Sequence, residues 1–282
     1  MRIGVTLFIT DQSIGPVELA RAAEARGFFS LYVPEHTHIP VSRSTPPPTG
    51  DAVLAEEYKR TLDPFVALAA AAAATTTIRL GTGICLVAER DPIVTAKEVA
   101  TLDLLSGGRF VFGIGYGWNR EEMAQHGVDF RTRRAVTRER MLVMERLWAD
   151  DEAAFTGELF RLEPSWAWPK PVQKPRPPVL LGGAPGPTLV RHIAEYGDGW
   201  MPIGGAGVAN ALPELHRLVA AAGRDPAAIT TVLLGVLPDP VKLEYYASLG
   251  VTEVALRLPS APANQVLRAL DAAAPLIAHF GG

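Results

Sequence analysis

The chain has 282 residues, 48% of them hydrophobic and 20% charged, with 27 basic against 30 acidic side chains and a net charge of −3. That is enough apolar chain for one large core, and its evenly mixed charge lacks the concentrated basic face of a nucleic-acid binder. The single cysteine, Cys85, excludes an internal disulfide and a multi-cysteine zinc site.

The N-terminus MRIGVTLFIT reads as a short strand running into polar residues, unlike a secretory signal. The longest apolar run, residues 64–74, is well short of the ~20 residues a membrane span needs. A cytoplasmic protein with no membrane or nucleic-acid partner is expected.

Along the chain, short β-rich runs fall at residues 2–8, 30–33, 78–84, 110–115, 178–183, 199–203, 230–236 and 253–258. A helical stretch follows each, stopped by Gly or a polar cluster. Eight buried, unalternated strands alternating with helices predict a parallel sheet closed into a single (β/α)8 TIM barrel spanning 1–282. The rival, a doubly wound open sheet, wants a Gly-rich fingerprint after strand 1; the chain has ITDQSIGP there. Two insertion loops interrupt the alternation, a Pro-rich one after strand 2 (39–57) and one before strand 5 (151–177). Both are expected to act as lids over the working end of the barrel.

In such barrels the chemistry sits at the C-terminal strand ends. Strand 2 ends in VPEHTHIP, with Glu35, His36 and His38 close together. A His-x-His pair can begin a zinc site, but His126, His192, His216 and His279 fall within or beside helices, so no ligands complete it and no metal is expected. After strand 4, GIGYGWNREE is a Gly-rich turn entering a helix, with Asn119 as N-cap and Glu122 as its capping-box partner. After strand 5, LGGAPGPT repeats the pattern. Gly115, Gly117, Gly182 and Gly183 would let the backbone approach a phosphate-bearing ligand, or would merely turn the chain. Gly81 and Gly83 inside strand 3 mark either a close backbone approach by a flat ring or a tightly filled barrel interior.

VPEHTHIP, LGTGICLVAERDPIVTAKEVATLDLLSGGRFVFGIGYGWNREEM, WPKPVQKPRPPVLLGG and AEYGDGWMP together resemble the luciferase-like monooxygenase superfamily, and within it the actinobacterial F420-dependent oxidoreductases. The likeness runs from residue 2 to about 204 and is most specific between Asp91 and Gly117. It implies a flavin or deazaflavin at the barrel mouth, with F420 expected and FMN the alternative. It also implies a non-prolyl cis bond at Gly83-Ile84 backing the ring, and a homodimer. Glu35 and His36 are implied as the catalytic pair beside ring and substrate; many relatives have Asp at the Glu35 position. Tyr116, Gly117, Trp118 and Asn119 are implied near the phosphate-bearing tail, through backbone amides rather than side chains.

The expected activity is hydride transfer between F420 and a small organic substrate, with His36 either the proton donor, because its ordinary pKa, about 6.5, suits proton exchange near neutrality, or a residue that only hydrogen-bonds the ring or a neighbouring loop. The competing readings are an FMN-dependent monooxygenase, a cofactor-binding protein without turnover and a metal-dependent hydrolase. Trp166, Trp168, Lys170, Lys174 and Arg176 would line the second lid as an aromatic wall with a basic rim, or pack and solvate the outer barrel. Lys59 and Arg60 would meet an anionic tail or stay solvated, and Cys85 reads as a small packed residue.

Overall fold

The computed structural model describes residues 1–47 and 53–280; the part of the first insertion at 48–52 lies outside the described residues. Eight parallel strands close a barrel in the order β1 (Arg2–Thr6), β10 (Glu253–Arg257), β9 (Thr230–Val236), β8 (Gly199–Met201), β7 (Val179–Gly182), β4 (Phe110–Ile114), β3 (Arg79–Thr82) and β2 (Ser30–Val33). All eight lie within or match the runs expected from the sequence. Alternation within each strand builds two cores. Tyr32, Val111, Leu180, Met201, Val232, Leu234 and Ala255 fill the barrel interior, with Ile84 packed against them. Leu31, Phe110, Phe112, Leu181, Leu233 and Leu256 turn outward onto the helices.

The helix ring begins with α1 (Pro16–Ala25), α2 (Pro64–Ala73) and α3 (Pro92–Leu105). It continues with α4 (Arg120–Gln125), α5 (Arg133–Ala149), α6 (Pro187–Tyr196) and α7 (Val208–Ala221), and ends with α8 (Pro240–Ser248), α9 (Ala263–Ala273) and α10 (Pro275–Phe280). Three of these helices open on the same two-letter signal. Asp63, Asp91 and Asp239 each accept backbone N–H bonds as N-cap, and the proline that follows supplies a first helical residue that has no N–H to satisfy. Among the described residues no helix is long and apolar enough to cross a membrane.

The second insertion is not structureless. It contains an antiparallel hairpin, β5 (Ala153–Thr156) and β6 (Arg161–Ser165). The carboxylate of Glu139 on α5 accepts from the backbone N–H groups of Glu158, Leu159 and Phe160 at its turn. The rest of the segment is tied to helix C-termini and strand beginnings. Lys170 donates to the carbonyls of Leu147 and Asp150, Gln173 reaches Asp103 and Phe110 O, and Arg176 pairs with Glu145 and Asp198. The hairpin tip, by contrast, runs back along α5, where Leu159 and Phe160 share a cavity with Gly127, Asp129 and Thr132 of the α4–α5 connection. Trp166 and Trp168 are exposed, and Lys97 on α3 donates to Trp168 O.

Candidate active site

The C-terminal ends of β2 and β3 are joined at the mouth. Val33 pairs with Thr82, and the Gly83 N–H donates to Val33 O at 2.7 Å. The next bond, Gly83-Ile84, is cis. The chain then re-pairs with β4, since Cys85 N–H donates to Gly113 O and Gly115 N–H to Cys85 O. Cys85 is fully buried, and burial pushes its thiol up, as suits a packed residue.

Most of the mouth glycines make room for protein. A Cβ on Gly81 would stand 2.5 Å from the Tyr32 ring, and one on Gly83 would meet Tyr32 Cβ at 2.9 Å and Leu234 at 3.1 Å. Gly115 and Gly182 both give way to the Ile84 side chain. Of the two readings left open for the strand glycines, the filled interior therefore accounts for them. Gly117 is needed for its own φ of +74° and sits against Met123 and Glu89. Gly183 differs, being exposed with nothing within 4 Å of where a Cβ would stand.

His36 is buried beside this turn. Its Nδ1 lies 2.8 Å from Oε2 and 3.1 Å from Oε1 of Glu122, whose side chain is fully buried. Trp118 meets the imidazole edge-on at 5.7 Å between centroids and Tyr58 at 5.3 Å; Phe8 stacks behind Tyr58 at 4.6 Å. Asn119 caps α4 as expected, accepting from Glu122 N–H. The capping box is not completed, because the Glu122 carboxylate goes to His36.

Glu35, expected beside His36 as the other catalytic residue, is engaged by the turn after β3. It is buried, with one oxygen accepting from Leu86 N–H at 2.6 Å and the other from Arg90 Nε at 2.5 Å. Arg90 also bonds Asp63 and Glu98 and lies 4.7 Å over the Phe65 ring. Burial pulls the Arg90 guanidinium down, but its acidic neighbours, Glu35 foremost, more than offset this and keep it charged. Glu35 thus fixes the turn after β3, with a protein donor on each of its oxygens.

The remaining candidates are also placed. His38 Nε2 lies 2.5 Å from Gln125 Oε1, and Thr37 Oγ1 lies 2.8 Å from His126 Nε2. Among the described residues no group of three or more His, Cys, Asp or Glu side chains could hold a metal ion. The Tyr116 hydroxyl is 2.8 Å from His192 Nδ1; burial raises the phenol to about 12 and lowers His192 to about 4. Lys59 pairs with Glu56, and Arg60 with Glu56 and with Asp11 of the β1–α1 connection.

Glu122, Tyr58 and Glu89 escaped the sequence reading of the site. Both Glu89 oxygens are buried without a hydrogen-bond partner, and burial, then the charges of Glu122 and Glu35, push the carboxyl up to about 9. The one local signal for Glu122 was its capping-box position, three residues after Asn119, which points to the helix start and not to His36.

A closed parallel barrel with a buried imidazole at its C-terminal mouth is the architecture of a TIM-barrel enzyme. The model of the luciferase-like monooxygenase family matches residues 15–237, and the chain belongs to that family; it is an oxidoreductase enzyme. An uncharacterised protein of Mycobacterium tuberculosis is 47% identical over 267 residues, covering 94% of each chain. An F420-dependent hydroxymycolic acid dehydrogenase of the same organism is 29% identical over 80% of this chain and 60% of its own length. The crystal structure of a monooxygenase from Streptomyces bottropensis superposes with a TM-score of 0.80 at 23% identity, covering 99% of this chain and 100% of that one. An F420-dependent secondary alcohol dehydrogenase bound to an F420–acetone adduct superposes at 0.78 and 21% identity, covering 99% of both chains. At these identities the likeness to solved structures is one of fold.

Proposed function

We propose that the chain is an F420-dependent oxidoreductase that moves a hydride between the deazaflavin and a small organic substrate, with His36 exchanging the accompanying proton. The observation that carries this reading is the pairing of two adjacent strand ends. The cis Gly83-Ile84 turn closes β3, and His36, held by Glu122 and flanked by Trp118 and Tyr58, follows β2. F420-dependent relatives such as the hydroxymycolic acid dehydrogenase support the choice of cofactor.

The residues fit such a group. Ile84 presents an apolar turn for a flat ring, and Asn119 keeps a buried Nδ2 without a protein partner. Gly183 and the uncapped start of α6 at Gly186 leave backbone open for a phosphate-bearing tail. Bound there, F420 supplies or accepts the hydride. The chain holds the ring, orients the substrate against Trp118 and Tyr58, and at His36 Nε2 gives a proton to a carbonyl oxygen or takes one from an alcohol. The protein works as a homodimer, a reading supported by the exposed Ile93, Val94, Leu104 and Leu105 on α3.

The test is a fluorescence titration of the protein with oxidised F420 and, separately, FMN. Saturable binding of F420 alone, retained in His36→Ala while hydride transfer is lost, is expected. Preference for FMN would move the protein to oxygen chemistry, and binding of neither ends the cofactor assignment.

A further inference from the structure

Glu122 occupies an unusual place for a carboxylate. Its side chain is fully buried at the third position of a six-residue helix, where an exposed carboxylate would serve the cap. Taking a carboxylate out of water is costly unless a partner meets it. Both of its oxygens lie within 3.1 Å of one atom, His36 Nδ1.

Holding the loop does not require this contact. Thr37 and His38, the next two residues, already bond His126 and Gln125 at the far end of the same helix. Nor does a second carboxylate compete for the ring: Glu89, close enough to Glu122 to feel its charge, is neutral near pH 7. Trp118 and Tyr58 flank the imidazole and restrain its rotation.

From this geometry we infer that Glu122 is a positioning residue, which fixes His36 as the Nδ1–H tautomer and so reserves Nε2 as the nitrogen that exchanges a proton with substrate. A carboxylate has no hydrogen to give, so Nδ1 must carry it, and the second ring nitrogen is then the base. When Nε2 takes a proton from a substrate hydroxyl, the imidazolium that forms keeps its Nδ1–H on Glu122. When Nε2 gives that proton to a carbonyl oxygen, the ring returns to the same neutral tautomer. Glu122 stays a carboxylate throughout, the division of labour seen when an acidic residue orients a catalytic histidine. The inference rests on the proton role proposed above for His36, but its first test does not need the cofactor.

That test is a 15N–1H correlation spectrum of the histidine rings in the cofactor-free protein, with His36 assigned by the signals lost in His36→Asn. Wild-type protein and Glu122→Gln, which keeps an acceptor, should both show protonated Nδ1 and bare Nε2 for neutral His36. Glu122→Leu should lose that signature. An Nε2–H tautomer in the wild-type protein overturns the inference whatever the Glu122 variants do. In F420-loaded protein, Glu122→Leu should bind F420 as wild type does but transfer hydride about 100-fold or more slowly. An unchanged rate overturns the positioning role, whereas failure of wild type to bind F420 defeats the cofactor reading and leaves the tautomer result standing.

Discussion

Ile84 and Gly115 share one space: the Ile84 side chain fills the volume that a Cβ on Gly115 would need, and Gly182 leaves room on its other side. The turn after β3 is thus seated by the absence of side chains at the C-terminal ends of β4 and β7. Gly115→Ala should destabilise the protein by about 1–3 kcal/mol through overpacking. The same substitution in an Ile84→Ala background should cost markedly less, a coupling of about 0.5–3 kcal/mol. Urea melts of the four proteins measure it, and simple additivity would refute the shared-space account.

Among the described residues Arg90 is the one side-chain cation paired with buried Glu35, and it is itself only 12% exposed. Arg90→Leu leaves that carboxylate uncompensated and should cost about 3–5 kcal/mol. Glu98, another Arg90 partner, is 32% exposed. Its replacement by Ala should therefore cost no more than ~1 kcal/mol. Equal losses in the two variants would mean that the network has no buried centre.

Glu89 makes a prediction about pH. Its carboxyl is raised from an ordinary value near 4.5 to about 9, by burial first. The unfolded chain ionises this group above pH 4.5 while the folded protein holds it neutral up to about 9. Its contribution to stability is therefore intact below pH 4.5 and lost progressively as pH rises to about 9, by at most ~1.4 kcal/mol per unit. Glu89→Gln removes the ionisation, so it should gain on the wild type from pH 5 to 8 and lose that advantage near pH 4. Thermal melts across that range decide it; a constant difference would remove Glu89 as the cause.

Glu121, beside Glu122, holds the strand-2 insertion. It accepts from Ser44 N–H and Oγ at 2.8 and 2.7 Å, and from Thr45 N–H and Oγ1 at 3.3 and 2.6 Å. Two adjacent glutamates on one helical turn thus fix the strap and His36 separately. Glu121→Ala should release about 1–2 kcal/mol of local stability after solvent screening, raising protease cleavage within residues 41–47 roughly 5–30-fold. The His36 tautomer should not change. Unaltered cleavage would show that the strap is held elsewhere.

The sequence by itself determined the barrel, because its signals are local. Eight strand runs, the Asp-Pro helix starts and the Asn119 cap each act within a few residues of chain, so they survive any tertiary arrangement. His36 was legible for the same reason, as a titratable residue just past a strand end. The hairpin at 153–165 was not, since only one side of it meets α5 and its apolar pattern is short. Only the tertiary structure decided which carboxylate serves His36. Glu35, one residue away, is drawn off by Arg90, 55 positions along the chain, while Glu122, 86 positions away, leaves its cap to take the imidazole. A buried charge goes to the partner that best repays its desolvation, and that partner is set by which strand ends the closed barrel brings together.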